Sequence, residues 1–398
     1  MTDILRIGVS FLLIVLLLRF RWNLGAVMLF AAATLGGLYG IGPVRQLAIA
    51  SRASIDPVTL NLVGGLVLIM MLENIIRKRG LLKQMTESLS RVARDRRVTM
   101  AILPGVIGLL PSAGGAAFSA PMVQEAAGDL SITPERRAFI NYWFRHIWEY
   151  LSPLYPGVVL TAAVTGLPLN TLMHSQAPLA VAVVVSGALL CFQGVEGHQV
   201  PDTRRTRDLR DLAVSLLPIA ASIVLVLVFK MSLSLAMALV VSSLFLIYRY
   251  SPAELGTTLK ESVSLKVLLM VLGVMVFKGM LDASGAIDAL PRTFARSGMP
   301  PALIFLALPF MVGLLTGLTV AFVGATFPII VAMTGGVPDP GVVTLAFAGG
   351  FAGVMLSPTH LCLLLTIRYF HADIGATYRL LYLPTALVLL VGIVRYWL

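Results

Sequence analysis

The chain has 398 residues, 58% of them hydrophobic and 12% charged, with a mean hydropathy of +0.91 and a formal net charge of +11. A soluble domain of this size carries about twice that share of charge, so the composition excludes one and points to an all-α polytopic membrane protein. The apolar stretches do not alternate as barrel strands do, two cysteines support neither a disulfide framework nor a metal cluster, and the scattered arginines match no nucleic-acid motif.

The first apolar run, 4–20, lacks a basic start and a small-residue cleavage site, so it reads as a retained span and not a signal peptide. Ten full spans follow from hydropathy: 4–20, 23–41, 57–76, 135–165, 176–194, 212–229, 231–249, 263–282, 341–370 and 376–397. Two further apolar stretches, 98–128 and 300–335, are too long for one span and are split by Gly, Pro, Ser or Thr. Each reads as a re-entrant hairpin, whose turn is tolerated at membrane depth only where it faces a cavity or protein. The first contains GLLPSAGGAAFSAPMV from Gly108, and the second GLLTGLTVAFVGATFPII from Gly313.

The spans 135–165 and 341–370 are also too long, and each carries Leu-Ser-Pro near its middle: Leu151-Ser152-Pro153 and Leu356-Ser357-Pro358. Proline removes a backbone donor and clashes with the preceding turn, which predicts two broken helices. These motifs lie 205 positions apart, as do the Gly-Leu-Leu starts of the hairpins and the pair Gly80 and Gly285. The chain therefore reads as two repeats, 1–197 and 208–398, joined by a cytoplasmic linker at 198–207. Five full spans per half invert the second repeat, and inverted repeats with broken helices are a signature of secondary transporters. With both termini outside, 21 of the 30 basic residues fall in inside loops, as the positive-inside rule requires. The hairpins then enter from opposite sides, and their tips meet near the midplane.

The expected binding site is where those tips face the breaks. It comprises Ser112, Gly114, Gly115, Ser119 and Ser152 from the first half, and Thr316, Gly317, Thr319, Ser357, Thr359 and His360 from the second. Hydroxyls and freed N–H groups at helix N-termini donate to anions, and freed carbonyls can hold Na⁺. Arg145, His146 and Glu149 stand in the first broken helix as candidates for charge recognition or proton coupling, because ionisable groups at membrane depth are costly. Arg145 and Glu149, four apart, share a helix face. The positions 205 further on are Gly350, Phe351 and Val354, so the cluster is not repeated. There is no HExxH, GxSxG or Walker loop, so neither an enzyme nor an ATP-driven pump is expected.

Two hairpins with Ser/Thr/Gly-rich tips, two Ser-Pro-broken helices and inverted repeats resemble the ion transporter superfamily. That group includes citrate and dicarboxylate symporters and gluconate, lactate and arsenite permeases; the chain is most similar to its poorly characterised small-permease branch. Where dicarboxylate transporters carry Ser-Asn-Thr at the hairpin tips, this chain has Pro111-Ser112-Ala113 and Thr316-Gly317-Leu318. The resemblance implies a homodimer with a scaffold domain and a transport domain that moves like an elevator. The expected function is secondary transport of a small organic anion across the cytoplasmic (inner) membrane, coupled to H⁺ or Na⁺, with no cofactor and no nucleic-acid partner. A flippase for a phosphorylated lipid and a passive channel are the alternatives.

Overall fold

A computed structural model describes residues 3–93, 95–111, 115–128, 130–193, 195, 206–286, 291 and 300–398. Among them it contains α-helices and a single 3-10 turn, and no strand is assigned as an element. The first half holds α1 (Asp3–Arg19), α2 (Leu24–Leu38), α3 (Pro43–Ile55), α4 (Pro57–Lys78), α5 (Leu81–Val92), α6 (Arg96–Ile107), α7 (Gly115–Ala127), α8 (Pro134–Arg145), the 3-10 turn Ile147–Tyr150, α9 (Pro156–Thr165) and α10 (Leu169–Cys191). The second holds α11 (Thr206–Leu227), α12 (Leu233–Ile247), α13 (Pro252–Ser262), α14 (Leu265–Ala283), α15 (Pro301–Thr316), α16 (Thr319–Thr334), α17 (Pro340–Met355), α18 (Leu361–Phe370) and α19 (Ile374–Trp397).

Helix starts are written in the local sequence. Asn23, Asp56, Asp95, Thr133, Ser251, Asp339 and Asp373 each cap an otherwise unpaired N-terminal amide. Proline opens α3, α4, α8, α9, α13, α15 and α17, the one helical site where its missing N–H costs nothing. Left-handed residues mark the ends, and they recur at fixed spacings. Gly80 and Gly285, and Gly166 and His371, lie 205 apart; Arg21 and Lys230, and Gly40 and Arg249, lie 209 apart.

Packing follows the same correspondence. α2 packs on α14 as α4 packs on α12, α7 on α18 as α16 on α9, and α6 on α8 as α15 on α17. Glycine makes the closest of these approaches possible. A Cβ on Gly25 would lie 2.3 Å from the Leu269 backbone, and one on Gly273 would lie 2.4 Å from the Gly25 carbonyl oxygen. Small residues that let backbones approach are the usual basis of helix association in lipid.

Four helices are long and apolar enough to cross a membrane alone: α4, α10, α11 and α19. The α13–α14 pair, bent by 54°, makes a fifth. The ten full spans expected from hydropathy therefore do not appear as ten long helices among the described residues. The spans 23–41 and 231–249 exist only as α2 and α12, of 15 residues each, about 22 Å long against a hydrocarbon core of about 30 Å. The turns at Arg21, Lys230 and Arg249 cut each apolar run short. Two helices were not expected: α3, which buries none of its residues, and α13. Part of the expected linker region is helical, since α11 starts at Thr206 and its buried Asp208 binds Arg91 at 2.7 Å.

Candidate functional site

Two helix breaks fall within the long apolar stretches 135–165 and 341–370. The first separates α8 from α9 and spans His146 to Tyr155; the second separates α17 from α18 and spans Leu356 to His360. The first break starts earlier than Leu151-Ser152-Pro153, because the chain leaves the α-helix at His146 and makes the 3-10 turn first. The two serines do the same work. Ser152 Oγ accepts from the Leu154 amide at 3.2 Å, and Ser357 Oγ accepts from the Thr359 amide at 3.2 Å. A short hydroxyl side chain thus satisfies an amide that the break exposes.

In the two stretches expected to form hairpins, α6 packs on α7 and α15 packs on α16 as pairs of short helices. Each packs on the broken helix of its own half. In the first half, the Trp148 indole donates to the Gly105 carbonyl at 2.7 Å, and the Tyr155 hydroxyl donates to the Gly108 carbonyl at 2.5 Å. In the second half, Ser357 Oγ donates to the Leu314 carbonyl at 2.7 Å and Thr359 Oγ1 to the Leu315 carbonyl at 3.3 Å. The hairpin turn needs a left-handed residue, and Gly317 supplies it with φ +65°. A Cβ there would also lie 2.8 Å from the His360 backbone, so the turn rests directly on the break.

The expected site residues divide accordingly. Thr316, Gly317, Thr319, Ser357, Thr359 and His360 come together, joined by Glu149 from the first half. Thr316 Oγ1 is used locally, donating to the Val312 carbonyl at 2.7 Å. Ser119 is buried and donates to carbonyls of its own helix, Gly115 at 3.4 Å and Ala116 at 3.3 Å. Gly115 and Ser119 thus read as packing residues of α7. Ser112 and Gly114 lie outside the described residues.

Glu149 occupies the place where a bound anion was expected. Thr319, the first residue of α16, donates its hydroxyl to Glu149 Oε2 at 2.7 Å. Gly157, at the start of α9, lies against the same threonine. The carboxylate therefore sits at the N-terminal end of a helix, where the dipole favours negative charge. Arg145 and Glu149 do not share a helical face, because the α-helix ends between them. Arg145 still acts electrostatically on Glu149, and also neighbours Tyr155 and Cys362.

Around this pair lies a buried polar cluster. His146, 1% exposed, donates Nδ1–H to the Tyr142 carbonyl at 2.6 Å, and its Nε2 lies 3.7 Å from Glu149 Oε1. His360 Nδ1 lies 2.8 Å from the Tyr142 hydroxyl and 3.1 Å from the Val354 carbonyl. The His146 and His360 rings are 4.9 Å apart. Asn141 bridges the halves by donating to Ala116 O at 3.1 Å and Thr366 Oγ1 at 3.0 Å. Sequence reasoning missed Tyr142, Tyr155 and Cys362, because an apolar run gives no cue that a tyrosine hydroxyl or a thiol faces a polar interior.

An open cleft of about 750 Å³ reaches the second hairpin from the side of the α1–α2 loop. Arg19, Arg21, Thr316 and Thr359 contribute its polar lining, and Phe20, Trp22 and Leu318 its apolar wall.

A family model described as "Protein of unknown function (DUF401)" matches residues 10–398. The chain belongs to that family. No curated protein matches it. Among solved structures it is similar to the YdaH transporter of Alcanivorax borkumensis, whose crystal structure is described as revealing an unusual topology. The identity is 14%, the TM-score is 0.65, and the match covers 97% of this chain and 98% of that one. The DUF401 chain thus shares the fold of a transporter over nearly its whole length, and its apolar helices are those of a multi-pass membrane protein. The likeness is to a transporter fold, and nothing in it singles out the ion transporter superfamily.

Proposed function

We propose that this protein is a secondary active transporter that carries a small organic anion, a carboxylate, across the cytoplasmic membrane, driven by H⁺ or Na⁺. One observation carries the reading: buried Arg145, His146 and His360 gather with the part-buried Glu149 at two helix breaks that belong to different halves of the chain. Such groups are expensive inside a bilayer unless they serve a function. Arg145 and the amide-rich starts of α9 and α16 favour an anion. Glu149 at the start of α16 then acts as an internal competitor for the substrate's place, and its protonation or displacement couples loading to the ion gradient.

The matched left-handed residues and matched packing pairs support two repeats, 1–197 and 208–398, and the bias of basic residues between the spans favours placing both termini outside. An elevator mechanism in a homodimer, which the family resemblance implies, is part of the proposal. The hairpins and broken helices would move as one body, because each hairpin is bonded to its own break. The channel alternative is disfavoured, since the polar groups are buried by side chains and do not line an open pore. The lipid alternative has one specific support: Arg19 and Arg21 flank the exposed Phe20 and Trp22 at the cleft mouth, a pattern suited to a headgroup at the membrane interface.

The test is uptake by proteoliposomes of the full-length protein, with a panel of radiolabelled carboxylates and imposed H⁺ or Na⁺ gradients. Accumulation of one carboxylate that collapses with an ionophore, and is lost in Arg145→Gln, is the expected result. Absence of gradient-driven accumulation for every anion would overturn the proposal, and scrambling of a phosphorylated lipid in the same vesicles would favour the alternative.

A further inference from the structure

The ring nitrogens of His146 and His360 and the sulfur of Cys362 offer three ligand atoms that lie within 4.8 Å of one another. All three residues are buried, at 1%, 7% and 8% exposure. They come from three elements: His146 from the end of α8, His360 from the second break, and Cys362 from the start of α18. We propose that they form a three-ligand binding site for a borderline-soft divalent transition-metal cation, with Zn²⁺ as the representative, the fourth position open and Glu149 Oε1 3.7 Å from His146 Nε2 as the neighbouring counter-charge. The proposal shares His146 and His360 with the transport reading, and a Co²⁺ titration tests it without any transport assay.

The hydrogen bonds around the histidines already have the form that metal-ligating imidazoles require. Such a histidine donates its second ring N–H to a carbonyl or carboxylate, which fixes the tautomer and turns the other lone pair to the metal. His146 Nδ1–H donates to the Tyr142 carbonyl, so Nε2 carries the lone pair. That Nε2 is buried and has no hydrogen-bond partner, an arrangement that is costly for a polar atom unless a ligand completes it. The Val354 carbonyl can only accept, so His360 Nδ1 carries its proton and Nε2 is again the free lone pair. The Tyr142 hydroxyl then accepts from His360 and donates to the Met355 carbonyl at 3.1 Å.

The distances fit after a small contraction. Tetrahedral Zn²⁺ with bonds of about 2.0 Å to nitrogen and about 2.3 Å to sulfur sets its ligand atoms about 3.3–3.6 Å apart. Movements of less than about 1 Å per side chain would close the set. Two neutral imidazoles and a thiolate suit Zn²⁺, whereas Ca²⁺ and Mg²⁺ prefer oxygen ligands. Binding displaces the thiol proton, which leaves to solvent as the sulfur–metal bond forms. The Arg145 guanidinium near Cys362 opposes a cation, and the two negative charges of the thiolate and Glu149 outweigh it. A bound cation would fasten α8 to α18 and so hold the two halves together at their breaks.

Cobalt is the probe. Full-length protein in detergent, stripped by chelator, is titrated with Co²⁺ and then with Zn²⁺. The expected result is one equivalent of Co²⁺ with a thiolate-to-metal charge-transfer band in the near ultraviolet, displaced by Zn²⁺. Cys362→Ser should abolish the band, and Cys191→Ser should leave it intact. Tyr142→Phe, which removes a partner of His360, should weaken binding about tenfold. No band in the parent protein, or a band that survives Cys362→Ser, would overturn the site. If Cys362→Ser fails to fold, the Cys191→Ser protein still decides the matter: Zn²⁺ should slow alkylation of Cys362 by a maleimide about tenfold or more, and no protection overturns the proposal.

Discussion

Gly313 and Gly108 test the packing that holds each hairpin to its broken helix. A Cβ on Gly313 would lie 2.1 Å from the Gly350 carbonyl oxygen, and one on Gly108 would lie 2.1 Å from the Arg145 carbonyl oxygen. Ordinary carbon–oxygen contacts stop at about 3.3 Å, so alanine at either position must push two backbones apart by about 1 Å. No flexible side chain can absorb the shift, because the atom struck is main chain in both cases. Overpacking of this kind costs about 1–3 kcal/mol, which in a chain of this size lowers the melting temperature by a few degrees. Gly256 is the control: it sits in α13 with nothing within 4 Å of a built Cβ, so alanine there should be neutral or stabilise by about 0.5–1 kcal/mol through helix propensity. Thermal unfolding of the three full-length variants, followed by tryptophan fluorescence in detergent, is the assay. Gly313→Ala and Gly108→Ala unfolding at or above the parent temperature would refute the close approach of hairpin to break. A loss at one position alone would refute the equivalence of the two halves.

The remaining predictions concern the bonds around the breaks. Thr319→Val keeps the shape and removes the donor to Glu149; it should cost about 1.5–3 kcal/mol, the range for a hydrogen bond to a charged group, while Thr319→Ser retains it. Equal unfolding temperatures for Thr319→Val and the parent would remove Glu149 from the start of α16. Tyr155→Phe removes one donor to the Gly108 carbonyl and should cost about 0.5–1.5 kcal/mol, read as faster hydrogen exchange in α6; unchanged exchange would detach Tyr155 from the hairpin. Asp95 caps α6 and is bonded by the Arg97 side chain, which holds its carboxyl below the ordinary aspartate range. A depressed folded-state value means that this contribution is fully present above the unfolded value of about 3.9 and is lost as pH falls through the folded one. Exchange in the first turn of α6 should therefore show no Asp95-dependent change between about pH 7 and 5. An Asp95→Asn difference that varies within that window would refute the assignment.

The main breaks were legible in the sequence because they depend on local chemistry. Leu-Ser-Pro at 151–153 and 356–358 declares a helix stop, and the serine of each then caps a freed amide two residues on. The hairpins were legible as apolar stretches too long for one span. Helix lengths were less legible, since an apolar run does not say where a left-handed residue such as Arg21 or Lys230 turns the chain. α3 was missed because its weak amphipathic pattern carries no buried residue to anchor it. The polar cluster was half legible. Arg145, His146 and Glu149 announce themselves by charge, whereas Cys362 and Tyr142 gain meaning only from residues more than 200 positions away. Long-range pairing of that kind leaves no trace in the spacing of a single sequence.

The position of the cluster follows from the matched spacing. His146 and Phe351 stand 205 apart in sequence, and their rings are 6.2 Å apart in space. His146 therefore lies against the residue that the 205-position spacing pairs with it. Symmetry would put a second charged set there, and the packing forbids it. Arg145 corresponds to Gly350, where a Cβ would lie 2.3 Å from the Phe322 ring. Phe322 in turn stands edge-on to Phe347 at 5.4 Å, and Tyr150 packs edge-on against Phe351 at 4.6 Å. The second half therefore fills with aromatic rings the space in which the first half places charge. A like-charged duplicate a few ångströms away would repel by several kcal/mol even at an effective dielectric of about 20, so charge packed against aromatic rings is the stable arrangement here. The ionisable groups of the first break therefore lie against an aromatic wall built from the helix that precedes the second.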